Sequence, residues 1–280
     1  MSEIVTLSES KRKNAKLKAI TYVVSVILSV IIMIPFVMMI KEVFGDETVL
    51  VLEPGGSYSI HLIPREHVMT FKEFLGIFDK ATWIGFRNSV IVTFTNTILN
   101  IYFSAITAYA ITAYEWKLKE AFEKFIIVAM MIPSTVGSVG FYQIAYKFGL
   151  NNKLFLFIIP AIATPMTVFF MRMYLKATFS KDIIESARLD GAGEFRIFNQ
   201  IAFPMLKPAV ATQTIFCFVA SWSNTWVPRI LLIDNAKKTL PIMGTFAPGS
   251  QLLMAIPPIL IYAFCQRHIV EGIALGSVKN

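Results

Sequence analysis

The chain has 280 residues, of which 55% are hydrophobic and only 16% charged, and its mean hydropathy is +0.62. These values exclude an ordinary soluble domain, whose helices need charged outer faces, and they indicate an integral membrane protein. The net charge of +8 is spread along the chain rather than gathered in one basic face, so it does not indicate a partner that is a nucleic acid.

Six apolar runs recur along the chain, most of them long enough for the ~20 residues that cross a hydrocarbon core. They are Ala19–Ile40, Phe86–Ala113, Phe125–Tyr146, Leu154–Met171, Ala209–Val227 and Leu252–Cys265. The first run follows a basic segment, residues 1–18, in the same order as the basic and apolar regions of a signal peptide. It is too long for the apolar region of a signal and no small-residue cleavage site follows it, which favours a retained span. We therefore predict an all-α integral membrane protein with six transmembrane helices.

The distribution of lysine and arginine predicts the orientation of these spans. Most of the 26 basic residues lie on the cytoplasmic side when the N-terminus is placed there, whereas acidic residues outnumber basic ones between Lys41 and Lys80. The positive-inside rule therefore predicts that both termini are cytoplasmic. Residues 41–85 then form an extracytoplasmic loop, residues 86–265 a five-span core, and residues 266–280 a cytoplasmic tail.

The central parts of the spans contain no charged residue, which argues against the buried ionisable relay of a proton- or ion-coupled carrier. Their polar content is uncharged, and packing between helices is one explanation for it. Prolines and glycines interrupt three of the runs, a pattern that suits cavity-lining or moving segments. These residues are Pro133, Gly137, Gly140, Pro160, Pro165, Pro257 and Pro258.

Motifs of catalysis and metal binding are missing from the sequence. There is no phosphate-binding loop, no HExxH, no metal-spaced cluster of Cys and His, and no nucleophile elbow. We predict no catalytic residue, no metal site and no cofactor in this chain, so another subunit must supply the energy for any uphill transport. Cys217 and Cys265 lie inside spans and are predicted to be packing residues without a disulfide.

One polar stretch, DIIESARLDGAGEFRIFNQIAFPMLKPA, follows the fourth span. Ser180 is placed to cap a short amphipathic helix that begins near Asp182, and Gly191 takes the position typical of a left-handed residue after a helix. A second helical piece is predicted from about Glu194 to Ala202, ending at Pro204. Two interpretations remain open: a helix that lies on the membrane surface, or a docking element for a soluble partner.

The spacing within this stretch resembles a known motif. Glu185, Ser186 and Ala187, then Gly191, then Ile201 and Pro204 are similar to the EAA loop of permease subunits of ABC importers, EAA-x3-G-x9-I-x-L-P. The chain departs from it by serine at 186 and phenylalanine at 203. Three further stretches, residues 86–111, 221–232 and 265–280, resemble the carbohydrate-uptake branch, in particular the shorter permease partner of maltose-type transporters. Residues 41–70 resemble nothing in that family.

The resemblance implies a type I ABC importer permease fold in the cytoplasmic (inner) membrane of a prokaryote. It also implies four kinds of partner: a second homologous permease, two cytoplasmic ATPase subunits that bind ATP and Mg, an extracytoplasmic solute-binding protein, and membrane lipid. The stretch at about 180–208 would be the coupling loop that docks on an ATPase subunit. Its contact residues would be Glu185, Ser186, Ala187, Asp190, Gly191, Ala192, Ile201 and Pro204.

The resemblance also points to the substrate and to the tail. A sugar path needs uncharged polar groups and aromatic rings, and the candidates are Asn96, Gln143, Trp222, Asn224 and Trp226. The tail residues Gly272, Gly276 and Lys279 would contact the ATPase subunits, whereas a frayed terminus is the alternative. Two other functions stay open: an ABC permease for a solute that is not a sugar, such as a peptide or polyamine, and an ATP-independent channel or carrier. A polyamine path would need acidic residues in the spans.

Overall fold

The computed structural model describes residues 2–44, 47–52, 58–63, 76, 79–162, 164–243 and 248–277. The chain divides into two units, one of residues Met1–Ile77 with Phe246–Leu252 and one of residues Phe78–Thr245 with Leu253–Asn280. Much of the predicted loop 41–85, and Lys279 in the predicted tail contact, lie outside the described residues.

The first unit contains one long helix and two strands. Helix α1 spans Ser2–Phe44, so it begins within the basic segment and continues through Pro35. Its part Lys18–Met38 is apolar, and none of it is buried within this chain. Strands β1, Glu47–Leu52, and β2, Tyr58–Ile63, pair antiparallel with Glu47 opposite Ile63. The prediction of an all-α protein missed this pair, whose alternating β-branched and apolar residues favour strands.

The second unit begins with the longest uninterrupted helix of the core. Helix α2 spans Lys80–Ala113 and contains the second predicted span. Asp79 caps its first turn because its carboxylate accepts a hydrogen bond of 2.7 Å from the backbone N–H of Thr82. The helix ends where Tyr114 takes an extended conformation.

The third and fourth predicted spans are broken segments. Helices α3, Lys119–Met131, and α4, Ser134–Lys147, meet at an angle of 93° beside Pro133, which confirms the predicted interruption. The fourth segment begins with two 3-10 turns, Leu154–Phe157 and Ile159–Ile162, and continues as helix α5, Pro165–Thr178.

The polar stretch and the last two spans complete the unit. Their elements are α6 Lys181–Leu189, α7 Glu194–Ile197, a π-helical turn Phe198–Ala202, α8 Phe203–Met205, α9 Lys207–Trp222, α10 Trp226–Leu231, a 3-10 turn Leu240–Ile242 and α11 Pro248–Ser277. Pro257 and Pro258 lie inside α11, so the predicted interruption of the sixth span is wrong. A proline removes one helical hydrogen bond, which a membrane helix can lose without ending.

Each of the six predicted runs falls on an apolar segment of the structure. Among the described residues, three helical segments are long and apolar enough to cross a membrane, and two bent pairs raise that number to five if each pair is one span. The sixth run corresponds to a shorter apolar helix, Leu253–Arg267. The chain therefore has several membrane-crossing segments, while the number six stays a prediction.

The main core lies where α2, α5 and the polar stretch meet. Ala105 and Ala108 on α2 are fully buried, and small side chains allow helices to approach closely. Met171 and Leu175 pack on them from α5. Phe198, from the π-helical turn, belongs to the same cluster, so the polar stretch is part of the folded core.

Candidate functional site: a polar cavity and a charged elbow

A cavity of about 560 Å³ lies within the second unit. Its walls come from α2, α4, the two 3-10 turns, α5, α9 and the segment that follows α9. The polar lining residues are all uncharged: Ser89, Thr93, Asn96, Asn100, Ser134, Ser138, Thr164, Thr167, Gln213, Ser221, Asn224 and Thr239. Three aromatic rings, Phe141, Phe157 and Phe216, also line it. Such a wall offers hydrogen bonds and apolar contact without any ion pair.

Helix α2 supplies one polar stripe of this wall. Ser89, Thr93, Asn96 and Asn100 recur at intervals of three and four residues, which places them on one face of the helix. The amide of Asn96 donates a hydrogen bond of 2.8 Å to the carbonyl of Phe157, and that of Asn100 donates one of 2.7 Å to Thr164 Oγ1. These bonds fasten the irregular fourth segment to α2, because its broken backbone needs partners within a membrane.

Gln213 on α9 is the most distinctive polar residue of the cavity. The residue is only 6% exposed, and among the described residues its side-chain amide has no hydrogen-bond partner. Two other lining residues have a buried atom without a hydrogen-bond partner among the described residues, namely Asn100 Oδ1 and Thr239 Oγ1. Buried polar groups are normally paired, so the Gln213 amide, which lines the cavity without a partner among the described residues, is available to a polar ligand.

The structure brings together two of the five predicted sugar-path residues. Asn96 and Asn224 line the cavity, whereas Gln143 is exposed outside it. Trp222 is buried in the core, where its Nε1 donates a hydrogen bond of 2.8 Å to the carbonyl of Met254 and its ring stacks on Phe218. Trp226 is 68% exposed and is not part of the lining. The sequence did not identify Gln213, because the rotation of α9 decides which of its polar residues faces the cavity.

The polar stretch folds as an elbow, residues 180–206, of two helical arms. Ser180 Oγ accepts a hydrogen bond of 3.2 Å from the backbone N–H of Asp182. Gly191 has a φ of +79°, and the next residue closes the turn through a bond of 3.0 Å from Ala192 N to the Ala187 carbonyl. The predicted helix, its cap and its left-handed glycine are confirmed. The second arm does not end at Pro204 but continues to Met205, since proline is accommodated in the first turn of α8.

Two side chains of α6 bury its apolar face in the core of this chain. Ile184 and Ala187 belong to the cluster that also holds Leu175 and Phe198. These two side chains are therefore not available to the membrane surface, which disfavours the interfacial alternative. Ala187, only 8% exposed, is also not available for close approach by another protein.

The outer surface of the elbow is formed by other residues. Glu185, Ser186, Asp190 and Gly191 are exposed, whereas Ala192, Ile201 and Pro204 are half-buried. Two large apolar side chains that sequence reasoning missed, Leu189 and Phe195, are 89% and 70% exposed. A surface with exposed apolar side chains around charged ones is typical of a protein-binding site.

Two ion pairs involve charged side chains of the elbow. Lys181 contacts Glu115 at 2.8 Å and Arg188 contacts Glu194 at 2.6 Å, so neither pairs with Glu185. Hydrogen bonds from Lys181 and from Lys119 lower the pKa of Glu115 below its ordinary value. Among the described residues Glu185 has no partner, and its carboxylate is free for a partner protein.

The predicted tail contact is described only by its backbone. Gly272 and Gly276 lie in α11, which is helical to Ser277. Both glycines are therefore helical, their contact with the ATPase subunits stays a prediction, and Lys279 lies outside the described residues.

Comparison with known proteins places residues 100–266 in the family described as "Binding-protein-dependent transport system inner membrane component". The chain is 30% identical over 234 residues to the arabinooligosaccharides transport system permease protein AraQ of Halalkalibacterium halodurans, covering 79% of this chain and 84% of that protein. It is 30% identical over 245 residues to the melibiose/raffinose/stachyose import permease protein MelC of Bacillus subtilis, covering 82% and 88%.

A similar fold occurs in a solved structure. The crystal structure of a bacterial ABC transporter involved in the import of the acidic polysaccharide alginate contains a chain that matches with a TM-score of 0.71. The match covers 91% of this chain and 97% of that one at 20% sequence identity. At this identity the likeness concerns the fold.

Proposed function

Because the chain belongs to the family of binding-protein-dependent transport system inner membrane components, we propose that it is the transmembrane permease subunit of an ATP-binding cassette importer that moves a sugar, in particular an oligosaccharide. The permease works by alternating access, in which partner ATPase subunits drive the change between the outward- and inward-facing states. The chain itself is not an enzyme and holds no cofactor, since ATP and Mg belong to the ATPase subunits.

The cavity is the observation that carries the choice of a sugar. Sugars are bound through hydroxyl hydrogen bonds and through contact with aromatic rings, and the wall offers Gln213, Asn224 and Phe216 for these two kinds of contact. No charged side chain of the described residues lines the cavity, which argues against a polyamine or another strongly charged solute. The named functions of the relatives support the same class.

The elbow is the proposed coupling loop. It docks in a groove of one ATPase subunit through Glu185, Leu189, Gly191 and Phe195, which are all exposed. Glu185 offers a carboxylate without a partner in this chain, and a partly buried pair across an interface favours a specific orientation. The tail of α11, with Gly272 and Gly276, forms a second contact with the ATPase pair.

The remaining partners follow from the same assignment. A second homologous permease completes the membrane part, and a solute-binding protein delivers the sugar from outside.

We also propose six spans with both termini in the cytoplasm, in the inner membrane of a prokaryote. Single cysteines at Ser180 and Asp234, with Cys217 and Cys265 replaced, test this topology: labelling of both by an impermeant reagent from the same side would overturn it.

Co-purification tests the proposed function directly. The chain expressed with its neighbouring genes and purified in detergent should retain an ATPase subunit and a second permease. The complex in proteoliposomes should hydrolyse ATP faster with the solute-binding protein and an oligosaccharide. A stable assembly of this chain alone that conducts solute without ATP would instead support a channel or carrier, and stimulation by a peptide would support another solute class.

A further inference from the structure

A single carboxylate joins the elbow to the end of α2. Glu194, the first residue of α7, accepts a hydrogen bond of 2.6 Å on Oε1 from Arg188 Nε, across the Gly191 turn. Its Oε2 accepts a bond of 3.3 Å from the Tyr109 hydroxyl and a short one from the Tyr114 hydroxyl. These four residues, Glu194, Arg188, Tyr109 and Tyr114, are here named the Glu194 clamp.

The clamp is more than an exposed ion pair. Its ionic part, Arg188 with Glu194, is about 40% exposed and by itself would contribute little. The two tyrosines fix it to the core, because Tyr109 is buried and its ring packs against Phe198 at 5.5 Å. The Arg188 guanidinium also lies 5.5 Å from the centre of the Tyr114 ring, in a cation–π contact.

The clamp connects parts of the chain that have no short covalent link. Tyr109 and Tyr114 lie 85 and 80 residues before Glu194 in sequence. Helix α9 follows the elbow directly, so it moves with the elbow through the backbone. Helix α2 has no such connection, and it can follow the elbow only through non-covalent contacts.

Helix α2 is suited to carry a displacement to the cavity. It is continuous from Lys80 to Ala113, and Asn100 in the cavity wall lies nine residues before Tyr109, about 14 Å along the axis at 1.5 Å per residue. A movement of its cytoplasmic end therefore changes the position of the polar stripe from Ser89 to Asn100.

We propose that Glu194 is a positioning residue that transmits the movement of the elbow to α2, and through it to the cavity wall. The inference rests on the proposed function, since it assumes that an ATPase subunit moves the elbow. Glu194 differs from the docking residue Glu185, because both of its carboxylate oxygens accept hydrogen bonds within this chain. Loss of the clamp should uncouple hydrolysis from transport without releasing the ATPase subunit.

The test uses the assembled transporter in proteoliposomes with Glu194→Ala, Tyr114→Phe and the control Glu120→Gln. Glu120 is an exposed carboxylate of α3 with no partner among the described residues. Glu194→Ala should keep the ATPase subunits and hydrolyse ATP. The amount of sugar moved per ATP should fall at least roughly fivefold, which corresponds to a typical coupling free energy. Tyr114→Phe should give a smaller loss, and Glu120→Gln none.

A second measurement reads the clamp without any partner. Spin labels on cysteines at Thr112 in α2 and Leu189 in α6, in the full chain in detergent, should give a narrow distance distribution that broadens in Glu194→Ala. An unchanged distribution, an unchanged amount of sugar per ATP, or loss of the ATPase subunit from Glu194→Ala would each overturn the proposal. A wild-type chain that binds no ATPase subunit would overturn the proposed function, and the transmitting role with it, while the distance measurement would still show whether the clamp exists.

Discussion

In the cavity, the amide of Gln213 has no partner among the described residues, and Asn100 Oδ1 and Thr239 Oγ1 are buried without one. At the elbow the charged side chains of Lys181, Arg188 and Glu194 are paired within the chain. The unpaired groups of the cavity can form hydrogen bonds with a ligand that binds reversibly. The ion pairs of the elbow instead fix the shape of its surface. Gln213 in the cavity and the Glu194 clamp therefore differ in how completely their polar groups are satisfied.

The largest effect is expected from Gly191→Val, because it tests the shape of the elbow. A β-branched residue at a φ of +79° costs about 1–2 kcal/mol, and its side chain also intrudes on the proposed interface. The variant should insert in the membrane but lose sugar uptake and its ATPase subunit. Gly193→Val is the matched control, since Gly193 has an ordinary φ of −71°, and at both glycines an added Cβ would meet no atom of the described residues within 4 Å. Normal uptake by Gly191→Val would contradict the assignment of the elbow.

The exposed apolar pair of the elbow gives the next prediction. Leu189→Ala combined with Phe195→Ala should weaken binding of the ATPase subunit by about tenfold or more, because large buried side chains dominate interface energies. Ile233→Ala removes a similarly exposed side chain just beyond α10 and should have no effect. Binding is measured with purified ATPase subunit and permease in detergent. Equal affinities of the double variant and the wild type would show that this surface is not the interface.

The elbow could be predicted from sequence because its structure is local. The cap at Ser180 and the left-handed turn at Gly191 depend on residues only a few positions apart, and both were confirmed. The wall of the cavity depends on how α2, α4 and α9 are rotated, which no local pattern fixes. Gln143 and Gln213 are both polar residues in apolar runs, yet only Gln213 faces the cavity.

The effects of the prolines and the presence of the two strands also could not be predicted from local sequence. Pro133 lies beside a bend of 93°, but α11 continues through Pro257 and Pro258, because packing decides whether a lost hydrogen bond ends a helix. The β1–β2 pair was not predicted from the sequence. Only the β-branched and apolar content of the two strands signalled it.

The pair Gln213 and Gln143 provides a matched test of the cavity. Gln213→Leu should lower sugar uptake roughly five- to tenfold, the loss of about 1 kcal/mol for one hydrogen bond to the sugar. It should not destabilise the chain, since the amide has no protein partner to leave unpaired. Gln143→Leu, outside the cavity, should transport normally. Initial uptake rates at low sugar concentration, with thermal unfolding of both variants, would decide; equal uptake by the two would show that Gln213 does not contact the sugar.

The smallest expected effect is a pH-dependent change in stability. It concerns Glu115, the second carboxylate that joins the elbow to the segment after α2. Glu115 accepts hydrogen bonds from Lys181 at 2.8 Å and Lys119 at 3.1 Å, which lower the pKa of this carboxyl from its ordinary value of 4.5. The folded chain therefore binds the proton less tightly than the unfolded chain. The stabilisation is fully present above pH 4.5 and is lost as the pH falls through the lowered pKa of the folded state.

Glu115→Gln should accordingly lower the melting temperature by a constant amount, of the order of a degree because the pair is exposed to solvent, between pH 8 and 6. The difference from the wild type should shrink only below pH 4.5. Glu120→Gln, which removes a carboxylate without a partner, should show no such dependence. Melting curves of the three proteins in one detergent measure this. A difference that already shrinks between pH 7 and 5.5 would mean that the two lysines do not hold the carboxylate ionised.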